Sequence, residues 1–301
     1  MDFADSAQEL FDKGYAAVKG AVAGQAVERQ PFMVGFARLC NDGWLQGWHE
    51  RNGGNLTYRM ADEEVRACKP FFLDEPGRWT AMGVQADNLR GAFFVATGAG
   101  RYMRNVQLSP SRNVGIVEIN DAGDAWRLVW GLEGGGRPTS EFPSHFMAHS
   151  VRMKATGGAS RVLYHAHPDN VIALTKVVPL DARSITRALW KATTECVMAL
   201  PMGVGVVPCM VPGGPEIARE TSELMKAHDA VVWAQHGVFC SGPDFDSAFG
   251  LMHSIEKAAH IHGLALMMNG GSGDFANTIS DDDLRAIAQS LGLSINEAFL
   301  D

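Results

Sequence analysis

The chain has 301 residues, of which 46% are hydrophobic and 20% charged, so it can bury one large core or two modest ones. Its 26 basic and 34 acidic residues give a net charge of -8, and the absence of a long basic run argues against a nucleic-acid partner. Five scattered cysteines, with no C-x-x-C pair, indicate a reducing compartment rather than a disulfide framework.

Residues 1–30 have apolar positions at helical spacing and end in a polar stretch, so we predict a helical arm outside a main domain of residues 31–301. The first residues lack the basic start and apolar segment of a secretory signal. No apolar run approaches the roughly 18 residues that a membrane span needs. We therefore expect a cytoplasmic protein without membrane contact.

Two glycine-containing loops follow in the first half of the chain. A helix predicted over residues 32–48 stops before Asn52-Gly-Gly-Asn55, and a strand over residues 91–97 runs into Gly98-Ala-Gly-Arg101. Such loops expose backbone N–H groups that suit an anion, although the first also fits an ordinary helix-to-strand turn. The second lacks the third glycine of a dinucleotide fingerprint, and there is no Walker lysine-serine pair, so we reject a Rossmann nucleotide site.

Candidate acid–base groups follow a predicted hairpin over residues 114–130. Thr139 or Ser140 is expected to cap a helix, with Glu141 in the first turn, where the helix dipole favours an ionised carboxylate. His145 and His149 lie four residues apart on one face of that helix and can in principle hold a metal. Without a neighbouring His-Glu pattern, a structural role for these two histidines is favoured.

The apolar run over residues 161–167 ends in His165-Ala-His167, and in a strand these two side chains point to the same face. A second run, over residues 230–237, places His236 where a buried strand meets a glycine turn. Two strands ending side by side would bring the three rings together. Catalytic zinc takes three protein ligands and keeps one open position. The alternative is that the rings only satisfy carbonyl groups at the strand ends.

The remaining pattern alternates irregularly between helices and strands. Helices are predicted over residues 168–174, 181–192, 217–225 and 281–291 and from residue 244, and a strand over residues 203–208. We expect one α/β domain with a mixed sheet covered by helices on both faces.

Zinc with an open position can polarise a carbonyl group, which leaves two reaction classes. Hydrolysis needs a zinc-bound water and a base, whereas stabilising an enediolate needs the metal and a carboxylate that moves protons. Glu141 is the candidate for that carboxylate, unless it is there only for the helix dipole. The turns at residues 53–54 and 98–100 are expected to hold the phosphate of a substrate.

Eight motifs occur in an order that resembles the zinc-dependent class II aldolase and adducin family, from about Pro31 to near the C-terminus. They are Leu45-x-Gly-Trp-x-Glu-Arg-Asn-Gly-Gly-Asn-Leu-Thr57, Arg104-Asn-Val-Gln-Leu108, Pro138-Thr-Ser-Glu141, His165-x-His167, Leu189-Trp190, Thr194-Glu-Cys196, Met210-Val-Pro-Gly213 and His236-Gly-Val-Phe239-x-Ser-Gly-Pro243.

The resemblance implies a three-layer α/β/α fold with a mixed, mostly antiparallel sheet, and a homotetramer with active sites at subunit interfaces. It implies an aldehyde-lyase of rhamnose catabolism that reversibly cleaves L-rhamnulose 1-phosphate to dihydroxyacetone phosphate and L-lactaldehyde. Each subunit would bind one Zn2+ through His165, His167 and His236. Glu141 would transfer the proton, and Glu195 would reach into a neighbouring site. The residues implied for the phosphate site are Asn52, Gly54, Asn55, Gly100, Thr139 and Ser140.

One departure from the family concerns the second glycine loop. Ala99 stands where the family usually has a hydroxyl residue, and a lost hydrogen bond to a charged group is worth about 1.5–3 kcal/mol. Three alternatives stay open: an aldolase for a fuculose- or ribulose-type ketose phosphate, an adducin-like binding protein without catalysis, and a zinc hydrolase.

Overall fold

The computed structural model describes residues 26–301. Its strands are β1 (Asn55–Arg59), β2 (Thr80–Ala81), β3 (Phe93–Thr97), β4 (Val114–Ile119), β5 (Ala125–Gly131), β6 (Val162–Ala166), β7 (Val204–Val207), β8 (Ala230–Trp233) and β9 (Gly237–Gly242). Its helices are α1 (Pro31–Leu45), α2 (Asp62–Cys68), α3 (Pro110–Asn113), α4 (Phe142–Ala155), α5 (Asp169–Leu174), α6 (Ala182–Trp190), α7 (Thr194–Ala199), α8 (Pro215–Leu224), α9 (Phe245–Met268) and α10 (Asp281–Ser290).

The strands form a single sheet in the order β2-β5-β4-β3-β1-β6-β9-β8-β7. The pair β7 and β8 is parallel, and every other neighbouring pair is antiparallel. The expectation of a mixed, mostly antiparallel sheet is therefore confirmed. β1 lies between β3 and β6, which places the Asn52-Gly-Gly-Asn55 loop beside the end of β6.

Helices cover both faces of the sheet because its strands alternate in side-chain direction. In β1, Leu56 and Tyr58 join the core cluster that contains residues of α1, α6 and α9. In β6, Leu163 joins the opposite cluster, which contains residues of α4 and α8. The predicted three-layer α/β/α arrangement is confirmed, and it puts the side chains at odd positions of β1 and β6 beneath α4.

Several boundaries differ from the sequence-based expectations. α1 ends at Leu45 rather than near Trp48, because Gly47 adopts φ +83° and turns the chain out of the helix. The polar stretch around Glu195 forms the short helix α7, which buries Cys196 and Val197. The separate strand β9 was not predicted.

The predicted helical arm over residues 1–30 lies mostly outside the described residues. Within the described part, Val27 is buried, and the Glu28 carboxylate accepts a hydrogen bond from the backbone N–H of Ser111 at 2.8 Å. Among residues 26–301, none of the helices combines the length and apolar character needed to cross a bilayer.

An ion-pair cluster joins α10 to α6. Arg187 Nη1 and Lys191 Nζ each lie 2.8 Å from the Asp281 carboxylate. Partial burial acts to raise the pKa of Asp281, but these two cations and the backbone N–H of Asp301 hold it well below its ordinary value.

We expect Asp281→Asn to lower the free energy of unfolding by about 1.5–3 kcal/mol at neutral pH, because it weakens hydrogen bonds between charged groups. A carboxyl whose pKa is depressed by folding stabilises the fold above its unfolded pKa of about 3.9, and that stabilisation is lost as the pH falls toward the folded pKa. The difference in free energy of unfolding between the wild type and Asp281→Asn, measured with denaturant, should therefore be constant from about pH 8 to 5 and smaller below about pH 4. A difference that stays constant below pH 4 would contradict this.

Candidate metal centre and active site

His165, His167 and His236 meet in space, as the sequence predicts. One ligand-capable atom from each lies within 4.8 Å of the other two. The ring centroids are 5.1 Å apart for His165 and His167, 4.9 Å for His165 and His236, and 5.0 Å for His167 and His236. His165 is in β6 and His167 follows the strand by one residue, so the two-residue period directs both rings to one side.

His236 reaches the group from a hairpin turn and not from the end of a strand. β8 ends at Trp233 and β9 begins at Gly237, and these two residues are partners in the antiparallel pair. The turn between them contains Gln235 at φ +57°. Hydrogen bonds from Gln235 to Thr175 hold the turn in place, with the Gln235 backbone N–H 3.1 Å from Thr175 Oγ1. His236 was expected at the end of a strand, but it is the third residue of the turn that follows β8.

The second ring nitrogens of two of these histidines already have partners. His165 Nδ1 donates to the Val238 carbonyl oxygen at 3.0 Å, and His167 Nδ1 donates to Glu50 Oε1 at 2.7 Å. Such partners fix the tautomer and leave Nε2 as the lone-pair donor. Within the described part of the chain, His165 Nε2 and His236 Nδ1 are buried without a hydrogen-bond partner. Unpaired buried nitrogens in a group of three imidazoles fit a divalent cation.

The charge state of the rings also suits metal ligation. Burial lowers the pKa of His165 well below its ordinary value, and the proximity of His167 and His236 lowers it further, because protonated rings so close together would repel one another. Burial, with a contribution from His167, lowers the pKa of His236 to about 4. Both rings are therefore neutral at neutral pH, which is the form that binds a metal.

Glu141 lies beside the histidines, with Oε2 4.0 Å from His165 Nε2. The residue is the N-cap of α4 and not part of its first turn, because the helix begins at Phe142. Burial raises the pKa of Glu141, while a 2.8 Å hydrogen bond from Asn55 Nδ2 and the charge of His167 oppose that rise. The expectation was that the helix dipole favours the ionised form of Glu141; burial acts in the opposite direction and raises the pKa of this carboxyl.

A cavity of about 170 Å³ connects these groups with both glycine loops. Every residue of the expected metal and phosphate sites lines this cavity, and so does Glu141. Its lining consists of Asn52, Gly53, Gly54, Asn55, Thr97, Gly98, Ala99, Gly100, Thr139, Ser140, Glu141, His165, His167 and His236.

The loop before β1 approaches the histidines closely only because it carries glycine. Gly54 has φ +72°, and an added Cβ would lie 2.4 Å from His49 Nδ1 and 2.7 Å from the His165 carbonyl oxygen. Among residues 26–301, the backbone N–H groups of Gly54, Gly100 and Ser140 have no hydrogen-bond partner. Unpaired N–H groups of residues that line one cavity suit an anion. The N–H of Ala99 is not free, because it donates to the Arg137 carbonyl oxygen at 2.9 Å.

Three of the histidines and acids singled out from the sequence lie outside the cavity lining. Glu195 is exposed on α7, and its carboxylate accepts a hydrogen bond from Thr194 Oγ1 at 3.1 Å. His145 and His149 lie on the buried face of α4, where each bonds to Thr57 Oγ1. These two histidines do not join the metal-ligand group found among the described residues.

Sequence reasoning did not assign three residues that support the site. Glu50 orients His167, and His49 donates to the Gly53 carbonyl oxygen at 3.1 Å, which shapes the glycine loop. Thr57 links β1 to α4. Glu50 lies in the Leu45–Thr57 motif, two positions before Asn52, and this place beside the glycine loop is the signal that the sequence offers for it.

Comparison with known proteins agrees with this geometry. Residues 35–262 match the Class II Aldolase and Adducin N-terminal domain. A solved sugar-phosphate aldolase from Thermotoga maritima has the same fold, with a TM-score of 0.65 and 26% identity, covering 77% of this chain and 93% of that one. The chain belongs to the class II aldolase and adducin family.

Within that family, this chain is similar to proteins named rhamnulose-1-phosphate aldolase. The protein from Escherichia coli O1:K1 / APEC is 41% identical over 270 residues, which cover 90% of this chain and 97% of that protein. The protein from Pectobacterium atrosepticum is 41% identical over 276 residues, covering 92% of this chain and 99% of that protein.

Proposed function

We propose that this protein is a rhamnulose-1-phosphate aldolase, an aldehyde-lyase that reversibly cleaves L-rhamnulose 1-phosphate into dihydroxyacetone phosphate and L-lactaldehyde. The observation that carries the proposal is the Glu141 carboxylate, 4.0 Å from a nitrogen of the three-histidine group. A carboxylate with a raised pKa next to a candidate cation site is the arrangement that proton transfer at a carbon needs. The relatives named rhamnulose-1-phosphate aldolase support this choice of substrate.

The chain's own residues account for binding and proton transfer. A Zn2+ ion held by His165, His167 and His236 would supply Lewis acidity toward the carbonyl oxygen of the substrate. Cleavage of the carbon–carbon bond removes the proton from the hydroxyl group of the carbon that becomes the aldehyde and places one proton on the dihydroxyacetone phosphate carbon, so no net proton is gained or lost. Glu141 delivers the proton to that carbon, and it removes it in the synthetic direction. Burial of Glu141 favours its proton-carrying form, and Asn55 holds one of its oxygens in place.

The phosphate of the substrate would occupy the part of the cavity between the two glycine loops. The free N–H groups of Gly54, Gly100 and Ser140 are the proposed donors, with Asn52, Asn55 and Thr139 completing the site. Ala99 supplies no hydroxyl here, and its backbone N–H is already bonded. The N–H groups of Gly54, Gly100 and Ser140 therefore bind the phosphate without the help of a hydroxyl group at position 99.

We further propose a homotetramer in the cytoplasm, with zinc as the metal. The exposed position of Glu195, away from the cavity of its own subunit, supports its contact with a neighbouring active site. The five cysteines are free, four of them buried, which supports a reducing location. Three imidazole ligands suit zinc among the common divalent ions.

The test is a metal analysis followed by steady-state kinetics. We expect release of dihydroxyacetone phosphate, measured with a coupling dehydrogenase, to have its highest kcat/KM with L-rhamnulose 1-phosphate. The comparison substrates are L-fuculose 1-phosphate and L-ribulose 1-phosphate at matched concentrations. A higher kcat/KM with either of them would move the assignment to that sugar. Release of inorganic phosphate without cleavage of the carbon chain would instead indicate a hydrolase.

A further inference from the structure

A line of buried hydrogen bonds leads from Glu141 into the protein beneath α4. Asn55 Nδ2 donates to Glu141 Oε2 at 2.8 Å, and Asn55 Oδ1 bonds to His145 Nε2. Thr57 Oγ1 then lies 2.8 Å from His145 Nδ1 and 2.9 Å from His149 Nε2. Thr57, His145 and His149 are at most 1% exposed, so water does not compete for these bonds.

The chemistry of the groups fixes the direction of these bonds when Glu141 is ionised. A carboxylate only accepts, so the Asn55 amide must turn its NH2 group toward Glu141 and its oxygen toward His145. His145 Nε2 must therefore carry the proton. Burial lowers the pKa of His145 to about 3, so the ring is neutral and its Nδ1 accepts the hydrogen of the Thr57 hydroxyl.

The far end of the line follows from the same argument. Because the Thr57 hydroxyl hydrogen is used on His145, Thr57 Oγ1 accepts from His149 Nε2–H. Burial lowers the pKa of His149 well below its ordinary value, so this ring is also neutral. Its Nδ1 then carries a lone pair, and that atom is buried without a partner in the part of the chain that the structure describes. If Thr57 instead donated its hydroxyl hydrogen to His149 Nε2, the proton of the neutral His149 ring would be on Nδ1, and that buried N–H group would have no acceptor.

We propose that Thr57 and His145 are positioning residues for Glu141, which hold the Asn55 amide with its NH2 group toward the carboxylate. The proposal rests on the proposed function, because Glu141 is the proton carrier only if the protein is an aldolase. None of the three buried groups touches the cavity, so they act through Asn55. Without them the amide can turn over and present its oxygen to the carboxylate, which would repel the ionised form and displace it.

The test compares Thr57→Val with Thr57→Ser. Valine keeps the volume of threonine but removes the hydroxyl, whereas serine keeps the hydroxyl and leaves a small cavity. We expect Thr57→Val to lower kcat by about 10-fold or more, with little change in KM. The upper limit is about 100-fold, which is the cost of displacing a reacting group by about 1 Å. Thr57→Ser should stay within about 3-fold of the wild type, although the cavity makes it the less stable variant. Zinc content should be unchanged in both.

A double-mutant cycle shows whether the effect passes through Glu141. In the Glu141→Gln background, Thr57→Val should cause no further loss of kcat. Equal losses in the valine and serine variants, or a full additional loss in the Glu141→Gln background, would overturn the proposal in favour of a purely structural role.

A measurement on the wild-type protein is independent of activity and of the variants' folding. Nuclear magnetic resonance of 15N-labelled histidine should find His145 and His149 as neutral Nε2–H tautomers at neutral pH. An Nδ1–H tautomer at His145 would overturn the proposed direction. If the wild type cleaves no ketose phosphate, the proposed function fails, and the tautomers alone then decide whether the line of hydrogen bonds is as inferred.

Discussion

Glu141→Gln should lower kcat for cleavage of L-rhamnulose 1-phosphate by about 100-fold or more, which is the scale of general acid–base catalysis. Glutamine has the same shape and can still accept the hydrogen bond from Asn55, but it cannot carry the proton. The metal should stay bound, because Glu141 is 4.0 Å from the nearest histidine nitrogen and is not one of the three grouped ligands. The measurement is kcat from the coupled assay together with the zinc content per subunit.

A matched control for this variant is Glu133→Gln, which makes the same chemical change at an exposed position outside the cavity lining. Its kcat should equal that of the wild type. If Glu141→Gln turned over as fast as this control, Glu141 would have no part in proton transfer. Loss of zinc in Glu141→Gln would instead mean that the carboxylate is a metal ligand.

His236→Ala should release the metal and with it the activity. Two imidazoles remain, and a catalytic zinc site needs three protein ligands. The loss of affinity should exceed the 10- to 100-fold that is typical when an outer-shell partner is removed. His236 lies in a hairpin turn, so the substitution leaves the pairing of β8 and β9 intact. Metal content after dialysis against a weak chelator is the direct measurement, with thermal unfolding to show that the variant is folded.

The control for the metal experiment is His260→Ala, which removes an exposed imidazole from α9. This variant should keep one zinc per subunit and full activity. A fully metallated His236→Ala protein would show that His236 does not bind the ion. The remaining cation would then have to be explained by His165 and His167 with other ligands.

The candidate metal-ligand group of three histidines was predictable because it follows from local rules. His165 and His167 are two residues apart at the end of an apolar run, and the period of a strand directs both to one side. His236 was recognised by its place before a glycine after a second apolar run. The sequence did not reveal that this run ends at Trp233 and that the histidine sits in a turn, because the extended pattern continues through Ala234.

The surroundings of Glu141 were not predictable in the same way. Its raised pKa depends on burial between elements that are distant in the sequence, and the sequence showed only its place near a helix start. Asn55 was expected to bind phosphate, but it also contacts a carboxylate 86 positions away. Such contacts depend on which strands are neighbours, and periodicity does not carry that information.

The central position of β1 has a consequence for the preparation of active protein. Asn55 and Thr57 face α4, whereas Leu56 and Tyr58 face the opposite core. A slip of β1 by a single residue against its neighbours would exchange these two sets, burying leucine where the asparagine belongs. Activity per bound metal ion should then be proportional to the fraction of molecules in which β1 has the native register. This ratio can therefore be used to compare preparations of refolded protein.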